Sequence, residues 1–216
     1  LDEGLGNHME VARALFNLGL VYVRMENEVT RAQAYFEASI VRCRQVGYVR
    51  FEAYAANNLA MLALHRGDAQ QAMRLAQESL NLCRDVEDRL GMCYALINVA
   101  HSARDLDDLV RASQALRDAA ELIQPEQNQE VVLWWLDACT RFAAQAQPAA
   151  AARLADAVAA LRKIDRLALP PTAQRYLDQT RHELRQHLAT VTYPVAQYEG
   201  EAMSLAQAMQ FALNLL

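Results

Sequence analysis

The sequence is poor in residues that break helices. Its 216 residues include only 7 glycines and 5 prolines, whereas hydrophobic residues make up 53% and charged residues 22%. Glycine and proline cost the most free energy in a helix interior, and Ala, Leu, Arg, Glu and Gln, which are abundant here, cost the least. The composition therefore excludes a disordered chain and favours an all-α fold.

Excess positive charge and long apolar runs are also missing. The net charge is −5, so the chain has no global attraction for phosphate backbones, and we expect no direct binding of nucleic acid. No stretch approaches the roughly 18 consecutive apolar residues of a transmembrane helix. The first residues show neither a basic segment nor an apolar run, so we expect no signal peptide. We expect a cytoplasmic protein that does not insert into membranes.

The sequence contains few motifs of the kind found in catalytic, cofactor or metal sites. It has no glycine-rich phosphate loop and no nucleophile elbow, so we predict neither catalysis nor a bound cofactor. His182 and His187 are five residues apart, which places them about 140° apart on a helix and argues against a metal site. No CxxC pair occurs, and free, partly buried thiols in a reducing cytoplasm are expected for Cys43, Cys83, Cys93 and Cys139.

The chain matches itself at a fixed offset of about 40 residues, a length typical of helical repeats. The matching sets are Ala32, Ala72 and Ala112, then Cys43 and Cys83, then Tyr54 and Tyr94. One extra residue in the first repeat adds Asn17 to the series of Asn58 and Asn98. Within each repeat the apolar residues are spaced as in helices, and a turn separates two helices. Such a period of helix pairs predicts a solenoid, in which each pair packs against its neighbours.

Local signals place the turns and the boundaries. Gly67 is suited to end the first helix of the second repeat and Asp68 to cap the next helix, and Asp107 and Asp108 do the same in the third repeat. We predict a single domain over 1–216, with repeats at about 8–47, 48–87 and 88–124, a degenerate pair at 127–166 and C-terminal capping helices at 170–216. The boundary between the third and fourth pairs is expected at Gln124-Pro125.

The repeats resemble the tetratricopeptide (TPR) pattern. The residues that carry this resemblance are Leu18, Gly19, Tyr22, Ala32, Phe36 and Ser39 in the first repeat, Leu59, Ala60, Ala63, Gly67, Asp68, Ala72, Ala76 and Ser79 in the second, and Val99, Ala100, Ala103, Asp107, Ala112, Leu116 and Ala119 in the third. The resemblance implies an all-α, right-handed superhelical array of antiparallel helix pairs, with a period of about 40 residues, longer than the period usual for this family.

The C-terminal part contains a characteristic order of residues. Its positions are Pro170, Pro171, Tyr176, Gly200, Ser204, Leu205, Ala208 and Ala212. This order resembles the end of large bacterial regulators, in which a nucleotide-binding domain of the signal-transducing ATPase class precedes TPR-like repeats, as in LuxR- and MalT-like transcriptional regulators. Glu201 and Gln197, next to the expected turn at Gly200, depart from the pattern. The resemblance implies a C-terminal fragment with a non-catalytic sensor or interaction role.

In TPR folds the exposed face of each first helix lines the concave groove and carries the ligand contacts. Projecting that face here predicts a partner-binding surface made of Arg13, Phe16, Leu20, Arg24, Tyr54, Asn57, Met61, His65, Tyr94, Ile97, His101 and Arg104. Trp134 and Trp135 point about 100° apart, so one is expected in the core and the other at its boundary or in a binding hot spot.

Two functions stay open. The first is a sensor or regulatory module that binds a protein, a peptide or an effector in the groove; the partner could be the nucleotide-binding or output domain of its own full-length chain. The second is a stand-alone TPR scaffold or a self-assembly module, which would be favoured if the full gene encoded only repeats. We favour the first. The mixture of aromatic, Met and Arg residues in the groove is typical of protein interfaces and suits a peptide, a helix or a protein domain better than a small anion, because the positive charges are scattered.

Overall fold

The computed structural model describes residues 2–25, 28–123, 128–165, 169, 171–188 and 192–216. These ranges contain eleven α-helices and no strand, so the all-α prediction is confirmed for the described part of the chain. The helices are α1 (Asp2–Val23), α2 (Val29–Val46), α3 (Val49–His65), α4 (Ala69–Asp85), α5 (Arg89–Asp105), α6 (Leu109–Leu122), α7 (Gln129–Ala143), α8 (Pro148–Asp165), α9 (Pro171–His187), α10 (Thr192–Glu201) and α11 (Leu205–Leu213).

The helices pack in adjacent pairs that form two layers. The pairs are α1 with α2, α3 with α4, α5 with α6 and α7 with α8, and each first helix also contacts the second helix of the preceding pair. The first helices contact one another in the series α1, α3, α5 and α7, which makes them one layer. This arrangement is consistent with an α-solenoid.

The turns between helices recur at a constant spacing in the sequence. Backbone φ is positive at Gly47, Gly67, Glu87 and Asp107, with values of 69°, 78°, 54° and 61°. A cap follows in three of these turns, where the carboxylates of Asp68, Asp88 and Asp108 accept hydrogen bonds from the backbone N–H of residues 71, 91 and 111. A left-handed residue followed by an N-cap thus ends one helix and starts the next, as predicted for residues 67–68 and 107–108.

Small residues allow close crossings within the pairs. Ala32, Ala72 and Ala112 are completely buried, and a Cβ added to Gly19 would lie 2.5 Å from the Phe36 ring. A repeated hydrogen bond accompanies these crossings: Ser39 Oγ donates to the carbonyl oxygen of residue 12 at 2.9 Å, and Ser79 Oγ donates to that of residue 53 at 2.8 Å. The same contact therefore joins the two helices of the first pair and of the second.

The C-terminal helices pack on the fourth pair. α10 and α11 both contact α8, and α11 also contacts α7. Ser204 and Gln207 form a capping box at the start of α11, as the sequence predicted for Ser204. Gly200 is not in a turn: it lies in the last part of α10, where a Cβ would collide with the backbone carbonyl oxygen of Arg153 on α8.

Several sequence predictions concern boundaries. α1 begins at Asp2, earlier than the predicted repeat start at residue 8, because no proline interrupts the intervening segment. α8 starts at Pro148, which suits the first turn of a helix. Gln124-Pro125 and Pro170 lie outside the described residues, as do the side chains of Pro171 and Tyr176.

The four cysteines are free and completely or almost completely buried, and burial raises the pKa of each thiol.

Candidate functional site

The layer of first helices borders a cavity of about 450 Å³, here called the groove. Side chains from α1, α3, α5 and α7 line it, and Leu177 and Thr180 of α9 add a further wall. The predicted surface residues that line the groove are Phe16, Leu20, Arg24, Tyr54, Asn57, Met61, His65, Tyr94, Ile97 and His101. Whether these residues contact a partner stays a prediction.

The structure places Arg13 and Arg104 outside the groove lining. Arg13 is exposed and forms an ion pair at 3.4 Å with Glu10, one turn earlier on the same helix. Arg104 pairs with its neighbour Asp105 at 3.2 Å. In the repeat register Arg104 is equivalent to Leu64, which lines the groove, and Asp105 is equivalent to His65, so the lining differs between α3 and α5 at these positions.

Aromatic rings fill the end of the groove near α1. The ring of Phe16 lies 5.3 Å from Phe51 in an edge-to-face contact and 6.2 Å from Tyr54. Phe16 is only 8% exposed, so it belongs mainly to the core and offers a ligand little more than a ring edge. Such contacts fix the ring orientations and make this end of the groove rigid.

The hydroxyl group of Tyr54 has a structural partner. It donates a hydrogen bond to Asp88 Oδ2 at 2.6 Å, while Asp88 Oδ1 accepts from the backbone N–H of Gly91 at the start of α5. Burial and this carboxylate raise the pKa of Tyr54. Tyr54 therefore joins α3 to the N-terminus of α5, and its replacement would disturb the fold as well as the groove.

Asn98 of the repeat series and Asn57, which lies next to Asn58 of that series, also join α3 to α5. Asn98 Nδ2 donates to Asn57 Oδ1 at 2.8 Å and to the Asn57 carbonyl oxygen at 3.1 Å. Asn58 instead donates within its own helix, to the carbonyl oxygen of Tyr54 at 2.8 Å. Asn57, expected to point into the groove, does line it but already holds α5 through its amide oxygen.

A polar cluster occupies the middle of the groove. The guanidinium group of Arg141 on α7 lies 2.8 Å from Asp105 Oδ1 and 3.4 Å from His101 Nδ1. Burial, with Arg141 alongside, lowers the pKa of His101 to about 3. Because arginine can only donate, Nδ1 is the accepting nitrogen, and the neutral ring carries its proton on Nε2.

Sequence reasoning missed the contribution of α7. Trp134, Asp137 and Arg141 line the groove, and each lies one repeat after a residue predicted there, namely Tyr94, Ile97 and His101. The period, extended by one repeat, would have found all three. No such signal exists for Leu177 and Thr180, since α9 follows the fourth pair and is outside the repeat.

The tryptophan pair divides as the helix geometry predicts. Trp135 is completely buried, and its indole N–H donates to the carbonyl oxygen of Leu116 at 2.8 Å. Trp134 is half-buried in the groove wall, and the guanidinium carbon of Arg162 lies 5.5 Å from its ring centroid. Only Trp134 can therefore contact a molecule in the groove.

Asp137 lies between the groove and a second cavity of about 360 Å³. Its carboxylate pairs with Arg162 of α8, and both side chains are nearly buried. Burial raises the pKa of Asp137 to about 6 even with this guanidinium group beside it. A buried ion pair of this kind holds α7 and α8 in one arrangement, and breaking it would leave an uncompensated charge.

The groove has the size and the walls of a ligand pocket. Its walls are mainly apolar and aromatic, and its volume is within the range of about 300–1,000 Å³ typical of ligand pockets. Among the residues that the structure describes, no group of three or more His, Cys, Asp or Glu side chains could hold a metal ion.

The sequence matches no model of a known protein family, and no curated protein is similar enough to count as a relative. No relative therefore assigns a ligand to the groove. Within the described ranges, none of the helices combines the length and the apolar character needed to cross a bilayer.

Proposed function

We propose that the chain is a non-catalytic interaction module that binds a protein segment, a peptide or an effector in the groove. The observation that carries this proposal is the alignment of equivalent positions from successive first helices along one mainly apolar cavity. Tyr54, Tyr94 and Trp134 occupy one such row, and Met61, His101 and Arg141 occupy another. Aromatic, Met and Arg side chains are enriched at binding surfaces.

The wider role follows from the resemblance to TPR-containing bacterial regulators. On this proposal the helix pairs form a right-handed TPR-like superhelix with a period of about 40 residues. The module belongs to a cytoplasmic transcriptional regulator or signalling ATPase, whose nucleotide-binding or output domain is either the partner or the element that responds to it. A ligand shifts such an equilibrium only by its difference in affinity for the two states.

Selection of peptides from a random displayed library tests the groove without a named partner. The variant for this test is Met61→Glu, which places a charge among apolar walls while leaving the bonds of Tyr54 and His101 in place. The binding constants of the selected peptides are measured by fluorescence anisotropy. We expect Met61→Glu to weaken binding at least about ten-fold, which corresponds to about 1.4 kcal/mol.

Val110→Glu is the matched control, because Val110 on α6 is 84% exposed and lies outside the groove. It should leave the affinity unchanged, and both variants should keep the helical circular-dichroism signal. Trp134 gives a second measurement, since occupation of the groove should change its fluorescence. Peptides that bind equally well to Met61→Glu would show that the groove is not the binding surface.

A further inference from the structure

The first helix carries a stripe of exposed apolar side chains outside the groove. Val11, Leu18 and Val21 are 39%, 40% and 55% exposed, and Ala14 between them is also exposed. We call these four residues the α1 strip. Their spacing of three, four and three residues places them on one side of the helix, in the pattern of a helix–helix seam.

The repeat shows what these positions do elsewhere in the chain. Because the first repeat has one extra residue, a residue of α1 is equivalent to the residue 41 positions later in α3, and each further repeat adds 40. The positions equivalent to residues 14 and 18 are buried in α3, α5 and α7. The position equivalent to residue 21 is fully buried in α3 and α5. The buried equivalents are Ala55, Leu59 and Leu62 in α3, Ala95, Val99 and Ser102 in α5, and Trp135 and Cys139 in α7.

The second helix of the preceding pair packs against each of these first helices, and on α3 it does so on this side, since Glu52 bonds to Arg44 of α2. α3 contacts α2, α5 contacts α4, and α7 contacts α6. In the described part of the chain, α1 has no helix in the corresponding place. The α1 strip is therefore the surface on which a helix of this kind packs throughout the rest of the array, presented here without one.

We propose that the α1 strip binds an amphipathic α-helix, the second helix of a further helix pair, in the position that α2 occupies on α3. The partner helix would bury an apolar stripe on α1 and leave its polar face in solvent, as α4 does with Leu75, Leu80 and Cys83 buried. Continuity with the repeated interface argues for this occupant, because the surface already has the shape and spacing that accept such helices.

One position differs between the interfaces. On α3 the equivalent of Val11 is Glu52, which accepts a hydrogen bond at 2.7 Å from the guanidinium group of Arg44 on α2. Between α4 and α5 the equivalent residues are Arg84, which is exposed, and Met92. Packing of a second helix on a first helix therefore does not need this ion pair, and Val11 resembles Met92 in being apolar, so α4 is the helix of this chain that suits α1 best at this position.

A fusion tests the proposal on the complete chain. A copy of residues 48–87, which contains α3 and α4, is joined through about ten Gly and Ser residues to Leu1. Such a linker spans about 17–19 Å on average, enough to reach back along the first turns of α1. In the copy, Leu59 and Leu62 are changed to Glu so that the new outer end is polar.

We expect the copied α4 to dock on the α1 strip. The melting temperature should rise by at least about 3 °C over that of the parent chain, and hydrogen exchange of the α1 amides should slow about ten-fold or more. The double change Leu18→Glu and Val21→Glu should remove both gains in the fusion. In the parent it should leave the melting temperature unchanged, because both side chains are exposed there.

Other outcomes would overturn the proposal. A fusion whose α1 amides exchange as fast as in the parent, with or without the two glutamates, would show that the strip does not accept such a helix. A parent chain that sediments as a dimer and becomes monomeric with the two glutamates would assign the strip to a second copy instead. If the copied pair does not fold, a peptide of residues 69–85 at millimolar concentration must shift the NMR signals of α1 residues, and unchanged signals would refute docking.

Discussion

The neutral histidine in the groove should make the stability of the fold depend on pH. His101 has a pKa of about 3 in the folded chain, against an ordinary value of 6.5, because its ring is buried next to Arg141. Between these two values the unfolded chain binds a proton on this side chain that the folded chain does not. The contribution of His101 is therefore present above pH 6.5 and is lost as the pH falls toward 3.

The magnitude follows from the difference between the two pKa values. pH 5 lies 1.5 units below the ordinary pKa of 6.5. Protonation of the His101 ring in the unfolded chain lowers the free energy of unfolding by about 1.36 kcal/mol for each of these units, which gives about 2 kcal/mol at pH 5. Although the ring is buried, the residue as a whole is partly exposed, and screening by solvent reduces this figure to about 1–2 kcal/mol. Asp137 acts in the opposite direction, since its raised pKa means that the folded chain gains stability as the pH falls through 6.

Urea unfolding at pH 7 and pH 5 measures the effect when wild type is compared with His101→Gln. The glutamine can still accept a hydrogen bond from Arg141 but does not titrate, and the Asp137 contribution is common to both proteins. We expect wild type to lose about 1–2 kcal/mol more than the variant between the two pH values. His182→Gln, at an exposed position of α9, is the matched control and should follow the wild type.

Two results would refute this reasoning. One is an equal change in the free energy of unfolding for wild type and His101→Gln. The other is an NMR titration of the His101 ring with a midpoint near pH 6.5, because that would mean that the ring is hydrated and can accept a proton in the folded chain.

Four further substitutions, with one control, test the fold. Gly200→Ala should destabilise the chain by about 1–3 kcal/mol in thermal unfolding, because the added methyl group would collide with a carbonyl oxygen of α8. Ala202→Ser, at an exposed position nearby, is the control and should not change the melting temperature. Glu87 and Gly67 both have a positive φ, which favours glycine. Glu87→Gly should therefore raise the free energy of unfolding by about 0.5–1 kcal/mol, and Gly67→Ala should lower it by about 1 kcal/mol. Urea midpoints that stay at the wild-type value in both variants would contradict these two predictions. Ser79→Ala should cost about 1 kcal/mol in the same assay, because a buried carbonyl oxygen of α3 loses its donor.

The repeated part of the fold could be predicted because its determinants are local. Gly67 and Asp68 end and start helices through their own backbone and side chain, so a reader of the sequence can place that turn. The same holds for Asp107 and Asp108, which take these two roles without a glycine. Gly200 could not be placed in this way, since its reason for being glycine is a carbonyl oxygen on α8, a distant part of the chain.

The candidate site shows the same division. The period identifies positions on successive first helices, and it leads to Trp134, Asp137 and Arg141 when it is extended to the fourth pair. It does not reveal what the side chains are bonded to. Tyr54 looks like a surface aromatic residue in the sequence, but its hydroxyl group is occupied by Asp88. Non-local contacts decide which lining residues remain available to a ligand.

These contacts limit how the groove can recognise a partner. Arg141 is held by Asp105 and His101, so a ligand carboxylate could bind its guanidinium group only by displacing Asp105, with little net gain in electrostatic energy. The His101 ring is neutral and adds no charge of its own. Apolar side chains such as Leu20, Met61 and the face of Trp134 should then supply most of the affinity, while Arg24 and Glu130 are exposed charged side chains that also line the groove. A partner that binds here should therefore present at least two apolar anchors, and raising the ionic strength should weaken its binding only as far as it contacts Arg24 or Glu130.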